Sequence, residues 1–247
     1  MHLLRGGGVL VVGSIRLLPV AEGAPMTTED RDLREACGVV GVYSRDGDVA
    51  RIAFFGLYAL QHRGQESAGI AASDGERIRV HTAMGLVAQT LDEETLRQLP
   101  GHIAIGHTRY STTGTSNISN AQPLIAAGPE IEIAIGHNGN VINAMELKEE
   151  LTEWGCAFTT SSDSEIIAQL FANAPAHSWA DRIAYCMRRL QGAYSLVVMT
   201  NDTLLGIRDP LGVRPLCIGK LNGGWVIASE SCALDHIGAE FVREVAP

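Results

Sequence analysis

A run of β-branched and small apolar residues, Gly38-Val39-Val40-Gly41-Val42-Tyr43, begins abruptly after a charged stretch and constrains the chain most, because it reads as a first core strand. Its head is Cys37, which ends the polar sequence Arg34-Glu35-Ala36. A cysteine there is placed to be presented from the end of a strand; it is also compatible with a small buried hydrophobe. The remainder of the chain has to decide between these.

The strand needs partners, and the downstream pattern supplies them. Apolar residues at Val49, Ile52, Ala53, Gly56, Leu57 and Leu60 share one helical face that ends near Gln61. Strands are predicted over 68–73 and 77–84, joined by a hairpin-type turn at Asp74-Gly75, and over 103–107, after a short charged helix over 92–99. A polar loop is expected over 108–122, then a strand over 131–137. Three amphipathic helices follow, carrying Ala144, Leu147, Leu151 and Trp154, then Ile166, Ile167, Leu170 and Phe171, then Ile183, Met187 and Leu190. Strands over 194–200, 203–208, 213–218 and 225–229 close the chain. Hairpins at both ends with helices between them predict an α+β fold of two antiparallel sheets packed together and covered by helices.

At 247 residues, 46% apolar and 19% charged, the chain can bury one sizeable core. A net charge of -9 without a Lys/Arg cluster argues against nucleic acid and against an anionic membrane, leaving a small molecule as the expected partner. The five cysteines, Cys37, Cys156, Cys186, Cys217 and Cys232, are odd in number, widely spaced and lack any CxxC pair. That pattern argues against a disulfide framework and a zinc site, and for a reducing, cytoplasmic setting. No metal ligands are predicted. Residues 1–25 are a poor secretory signal, since Arg16 interrupts the apolar region, and are expected to be an upstream extension outside the fold, with Met26 the natural start.

Three further stretches carry candidate chemistry. Gly106-His107-Thr108-Arg109-Tyr110-Ser111-Thr112 leaves a strand with a single arginine suited to clamping a carboxylate, or simply solvated on a loop. His137-Asn138-Gly139-Asn140 offers an amide and a backbone N–H to a developing oxyanion, or forms a tight turn. Ser161-Ser162-Asp163-Ser164-Glu165 sets a carboxylate at a helix start, where capping alone accounts for it.

Taken in order, Cys37-Gly38-Val39-Val40-Gly41, Gln61-His62-Arg63-Gly64-Gln65-Glu66, Arg109-Tyr110-Ser111-Thr112, His137-Asn138-Gly139-Asn140 and Ser162-Asp163-Ser164-Glu165 resemble the glutaminase domain of class II glutamine amidotransferases. The second and third of these resemble the amidophosphoribosyltransferase branch, whereas glucosamine-6-phosphate synthases carry Glu-Tyr-Arg-Gly-Tyr-Asp and Arg-Trp-Ala-Thr-His there. Arg208-Asp209-Pro210-Leu211-Gly212-Val213-Arg214-Pro215-Leu216 is shared more widely and discriminates less.

The resemblance implies an N-terminal nucleophile hydrolase fold, a four-layer αββα sandwich over 37–247, preceded by a propeptide over 26–36. It implies Cys37 as nucleophile, its freed α-amine as base, Asn138 and Gly139 as oxyanion donors, and Arg109, Thr112 and Asp163 as substrate-binding residues. L-glutamine is the implied substrate, with Arg109 on its α-carboxylate and Asp163 on its α-ammonium. A phosphoribosyltransferase domain would follow in the full-length enzyme, which would be a homo-oligomer using magnesium and, in some relatives, an iron-sulfur cluster; no cofactor is expected within these 247 residues. The alternatives are the glutaminase domain of another class II amidotransferase and a non-catalytic assembly domain whose leader is never removed.

Overall fold

The computed structural model describes residues 9–12, 37–110 and 117–247. Its centre is β2 (Gly38–Ser44), every residue of which except Tyr43 is buried. Alternation along this strand divides its side chains between two hydrophobic layers. Val40 and Val42 meet Ala53 and Leu57 of α1 (Val49–Ala59), whereas Val39 faces a second sheet through Ala134 and Val197. A leucine or valine buried to this degree is worth about 1.5–3 kcal/mol. The helix can lie so close because the sheet below it is thinned: a Cβ on Gly106 would stand 2.7 Å from Leu57 Cδ1.

Two sheets result. The seven-stranded one runs β12-β10-β11-β2-β5-β3-β4 and uses β3 (Ser67–Ser73), β4 (Ile78–Met84), β5 (Ile103–Arg109), β10 (Cys217–Leu221), β11 (Gly224–Ala228) and β12 (Glu240–Glu244) around β2. The five-stranded one runs β1-β9-β8-β7-β6, with β1 (Val9–Val12), β6 (Leu124–Ala127), β7 (Glu132–Val141), β8 (Gly192–Met199) and β9 (Leu204–Arg208). All pairings are antiparallel save β1 with β9, where Val9 lies opposite Leu204 in parallel register.

Helices α2 (Val87–Thr90) and α3 (Glu93–Arg97) are short, while α4 (Ala144–Glu153), α5 (Asp163–Asn173) and α6 (Trp179–Arg189) precede α7 (Ser231–His236). Packing of α1 and α7 on the large sheet makes one apolar layer, α4, α5 and α6 on the small sheet make another, and Val39, Ile103, Ile105, Ala134, Val197 and Leu204 fill the space between sheets. This is the αββα sandwich.

Several boundaries differ from expectation. The strand predicted over 213–218 begins only at Cys217, because the Asp209 carboxylate draws the amides of Leu211, Val213 and Arg214 into a turn and Pro215 has no amide to donate. The loop predicted over 108–122 loses its first residues to β5, and the strand predicted over 131–137 continues to Val141. β6, α2, α7 and β12 were not anticipated; α2, β6 and β12 are only four or five residues long and α7 six. Within the extension expected to lie outside the fold, Val9–Val12 forms the edge strand β1. The proposed propeptide over 26–36 and Thr112 lie outside the described residues.

Candidate active site

Strand order dictates where the site forms. β2 and β5 run antiparallel with Gly38 opposite Thr108, so the residue that opens one strand meets the residues that close the other. Cys37 Sγ accordingly sits against the Tyr110 backbone, 3.4 Å from its N and 3.5 Å from its carbonyl oxygen. Behind it, Arg63 Nε donates to the Cys37 carbonyl at 3.1 Å, and Arg63 also pairs with Glu230. Val39, two residues along, exchanges bonds with Ser229 through its amide to Ser229 Oγ at 2.9 Å and its carbonyl from Ser229 N at 3.0 Å. The head of the strand is therefore held by backbone and side-chain contacts, with Cys37 only partly buried as a residue.

The thiol is placed in a conflicting field. Burial pushes its pKa up, the Tyr110 amide and the Arg109 guanidinium pull it down, and Asp163 raises it again. A thiol raised by burial needs a base close by to become a nucleophile.

Arg109 is not a solvated loop residue. It ends β5 almost wholly buried, with Nε donating to Glu66 Oε1 at 3.3 Å and Nη1 to the Asn120 carbonyl at 3.2 Å. Such bracing fixes the plane of the guanidinium, which is what a fork-shaped grip on a carboxylate requires.

Nor is Asn138-Gly139 a tight turn. Both residues lie inside β7, opposite Ser195 and Tyr194 of β8. Gly139 has φ +150, and a Cβ there would collide with the Ala193 carbonyl, so only glycine fits. Asn138 is 0% exposed, yet neither Oδ1 nor Nδ2 has a hydrogen-bond partner among the described residues. A buried polar group left unmet costs about 1–3 kcal/mol, so an amide held this way in a strand is a candidate to meet a ligand.

Around Asn138 the backbone is pinned by a buried network. Gln122 Oε1 accepts the His137 N–H at 2.8 Å, Gln122 Nε2 donates to Ser164 Oγ at 3.0 Å, and His137 Nδ1 lies 2.9 Å from the same hydroxyl. From the large sheet His107 Nε2 reaches the His137 carbonyl at 3.0 Å, tying the two sheets together one residue from Asn138. Burial lowers both imidazole pKa values, that of His107 to about 3, so His107 is neutral and its Nε2 donates to that carbonyl. Asp163 completes the arrangement from the start of α5, where Oδ2 accepts the Val141 N–H at 2.9 Å and Oδ1 lies 3.7 Å from His137 Nδ1. Capping of α5 falls to Ser162, whose hydroxyl takes the Ser164 amide at 3.2 Å, so Asp163 is not spent on it.

Cys37, Arg109, Asn138, Gly139 and Asp163 thus converge at one end of the sandwich, the first two from the large sheet and the rest from the small sheet and its helix. Glu66, Gln122, His137 and Ser164 support them and were missed as participants. Glu66, His137 and Ser164 lie inside the quoted stretches, but sequence gives no sign that Glu66 braces Arg109 or that His137 meets Ser164.

Residues 107–236 match the family model described as a glutamine amidotransferase domain. The chain belongs to the glutamine amidotransferase family. It is 50% identical over 219 residues to the amidophosphoribosyltransferase of Synechococcus elongatus, covering 86% of this chain and 44% of that protein. With the amidophosphoribosyltransferase of Mycobacterium tuberculosis it shares 47% identity over 223 residues, 87% of this chain and 42% of the relative. The amidotransferase domain superposes on the glutamine phosphoribosylpyrophosphate amidotransferase of B. subtilis, solved with ADP and GMP, with a TM-score of 0.79 and 40% identity over 85% of this chain and 46% of that one. The chain spans less than half the length of these relatives. Among the described residues, no helix is long and apolar enough to cross a membrane.

Proposed function

We propose that the domain hydrolyses L-glutamine to glutamate and ammonia through a thioester on Cys37. In the full-length, homo-oligomeric enzyme a phosphoribosyltransferase half would take up the ammonia, converting phosphoribosyl pyrophosphate to 5-phosphoribosylamine for purine synthesis in the cytoplasm. The names and greater length of the relatives support the second statement. The first rests on the buried amide of Asn138, without a hydrogen-bond partner among the described residues, at the end of the sandwich that holds Cys37.

In the first step Cys37 Sγ bonds to the side-chain amide carbon of glutamine while its proton passes to the residue's own α-amine, whose reference pKa of about 7.7–8.0 suits the task. Asn138 Nδ2 and the Gly139 N–H hold the oxyanion, the C–N bond breaks, and the proton leaves with ammonia. Water then opens the thioester, releasing glutamate and restoring the thiol. Arg109, with Thr112 beside it in sequence, receives the α-carboxylate and Asp163 the α-ammonium, so both charged ends of glutamine are read.

The α-amine can serve only after the Ala36-Cys37 bond is cut, and we assign that cut to the Cys37 thiol itself. Ammonia release from glutamine by a protein verified by mass to begin at Cys37 tests the proposal, with Cys37→Ser as its inactive control. A verified Cys37-start protein that releases no ammonia would overturn the hydrolytic reading. Intact mass of Cys37→Ala beside wild type tests the cleavage: the variant should keep its leader, and loss of the leader would assign the cut to an external protease.

A further inference from the structure

Outside the glutamine site, one group of side chains has the composition of a metal centre. His62 lies in the short 3-10 turn after α1, Glu230 immediately precedes α7, and Cys232 lies in its first turn. Their ligand atoms all fall within 4.8 Å of one another. His62 Nε2 is 3.0 Å from Glu230 Oε2, and Cys232 Sγ is 3.6 Å from that same oxygen. A tetrahedral zinc ion with bonds of about 2.0 Å to nitrogen and oxygen and about 2.3 Å to sulfur separates neighbouring ligands by about 3.3–3.6 Å. The sulfur–oxygen spacing matches that edge length, and the nitrogen–oxygen spacing is about 0.3 Å shorter.

The hydrogen-bond partners of His62 orient its ring toward the same point. Its Nδ1 lies 3.1 Å from the Ala59 carbonyl, which can only accept, and its Nε2 faces a carboxylate, which also only accepts. A neutral ring satisfies one of these, and an imidazolium satisfies both. With Nδ1–H donating to Ala59, Nε2 faces Glu230, where a proton or a metal ion can bridge the two; an Nδ1–H bonded to a backbone carbonyl is also how metal-bound histidines are oriented. Glu230 is already divided between two tasks, since Oε1 pairs with Arg63 and Oε2 is left for His62 and Cys232.

We propose that His62 Nε2, Glu230 Oε2 and Cys232 Sγ bind a single zinc-class transition-metal ion, with water as the fourth ligand. One nitrogen, one sulfur and one oxygen donor favour zinc over magnesium or calcium, which take oxygen. Glu230 and Cys232 border an open cleft of 420 Å³ that Ser229, Ser231 and Phe241 also line, and the His62 side chain is 56% exposed to solvent. The Cys232 thiol gives its proton to solvent as the metal–sulfur bond forms. No spacing rule marks these ligands, because the first lies 168 residues before the second.

Titration of the full chain with zinc, followed calorimetrically in two buffers of different protonation enthalpy, should give one ion bound and one proton released. Cys232→Ser and His62→Gln should each weaken binding by at least about tenfold, while Cys156→Ser leaves it unchanged. Cobalt in place of zinc should show a thiolate charge-transfer band that Cys232→Ser lacks, and unchanged circular dichroism of that variant confirms its fold. No stoichiometric binding, or a site that survives Cys232→Ser and vanishes in Cys37→Ser, would overturn the proposal.

Discussion

Two buried polar groups on the small sheet stand in opposite states. Asp209, fully buried just beyond β9, accepts from the amides of Leu211 at 3.0 Å and of Tyr194, Val213 and Arg214 at 3.3 Å, and its own amide donates to the Tyr194 carbonyl at 2.9 Å. Its neighbour Arg208 donates to the carbonyls of Gly212, Arg214 and Val245. Asn138, equally buried on β7, finds no hydrogen-bond partner for its side-chain amide among the described residues. A saturated polar group has its whole hydrogen-bonding capacity committed to the fold, whereas an unsaturated one costs stability until a ligand arrives. The Asp209 motif is committed to architecture, and the proposed function assigns the Asn138 stretch to chemistry.

The largest effect that would sharpen this contrast is on stability. Asp209→Ala strands several buried amides and should lower the unfolding free energy by at least about 3 kcal/mol, read from urea melts, while the glutaminase rate per folded molecule holds. A small stability loss with a large fall in rate would move Asp209 into the active site.

Next is Arg109→Lys. Charge is kept but the planar fork braced by Glu66 is lost, so KM for glutamine should rise about tenfold, or about 1.4 kcal/mol, with kcat changing less. An unchanged KM would remove Arg109 from substrate binding.

The smallest effect is that of pH on stability. The native His107 value is depressed by burial to about 3, against an ordinary value of 6.5 that the unfolded chain retains. As pH falls below about 6.5 the unfolded state takes a proton that the native ring refuses, so stability is full above 6.5 and is lost progressively toward 3; His137 acts in the same direction. Urea midpoints at pH 7.5 and 5.5 should therefore differ, and differ less in His107→Gln. Equal midpoints would show that the ring between the sheets is not held neutral.

How much of this was legible depended on range. β2, α1, the β3–β4 hairpin and the faces of α4 to α6 follow from periodicity, because each buries a face that its own sequence marks. β12 escaped because its burial is slight: Glu240, Phe241, Val242 and Glu244 are exposed. The 213–218 error arose from a side chain outside the segment, since Asp209 sets the turn that delays β10. Cys37, Arg109, Asn138, Gly139 and Asp163 could be named from local motifs, but the orphaned Asn138 amide, the Glu66 brace and the Gln122-Ser164-His137 network exist only once distant strands pair. His62, Glu230 and Cys232 were invisible as a group for the same reason.

The central claim is that Asn138 is kept unpaired for the transition state of glutamine hydrolysis. Asn138→Ala in a protein verified to begin at Cys37 tests it by two readouts on one sample. Turnover should fall about 10²–10³-fold with glutamine binding nearly intact, while the urea midpoint stays level or rises because a stranded amide has been removed. A fall in stability with turnover preserved would contradict the claim and return Asn138 to the architecture that Asp209 represents.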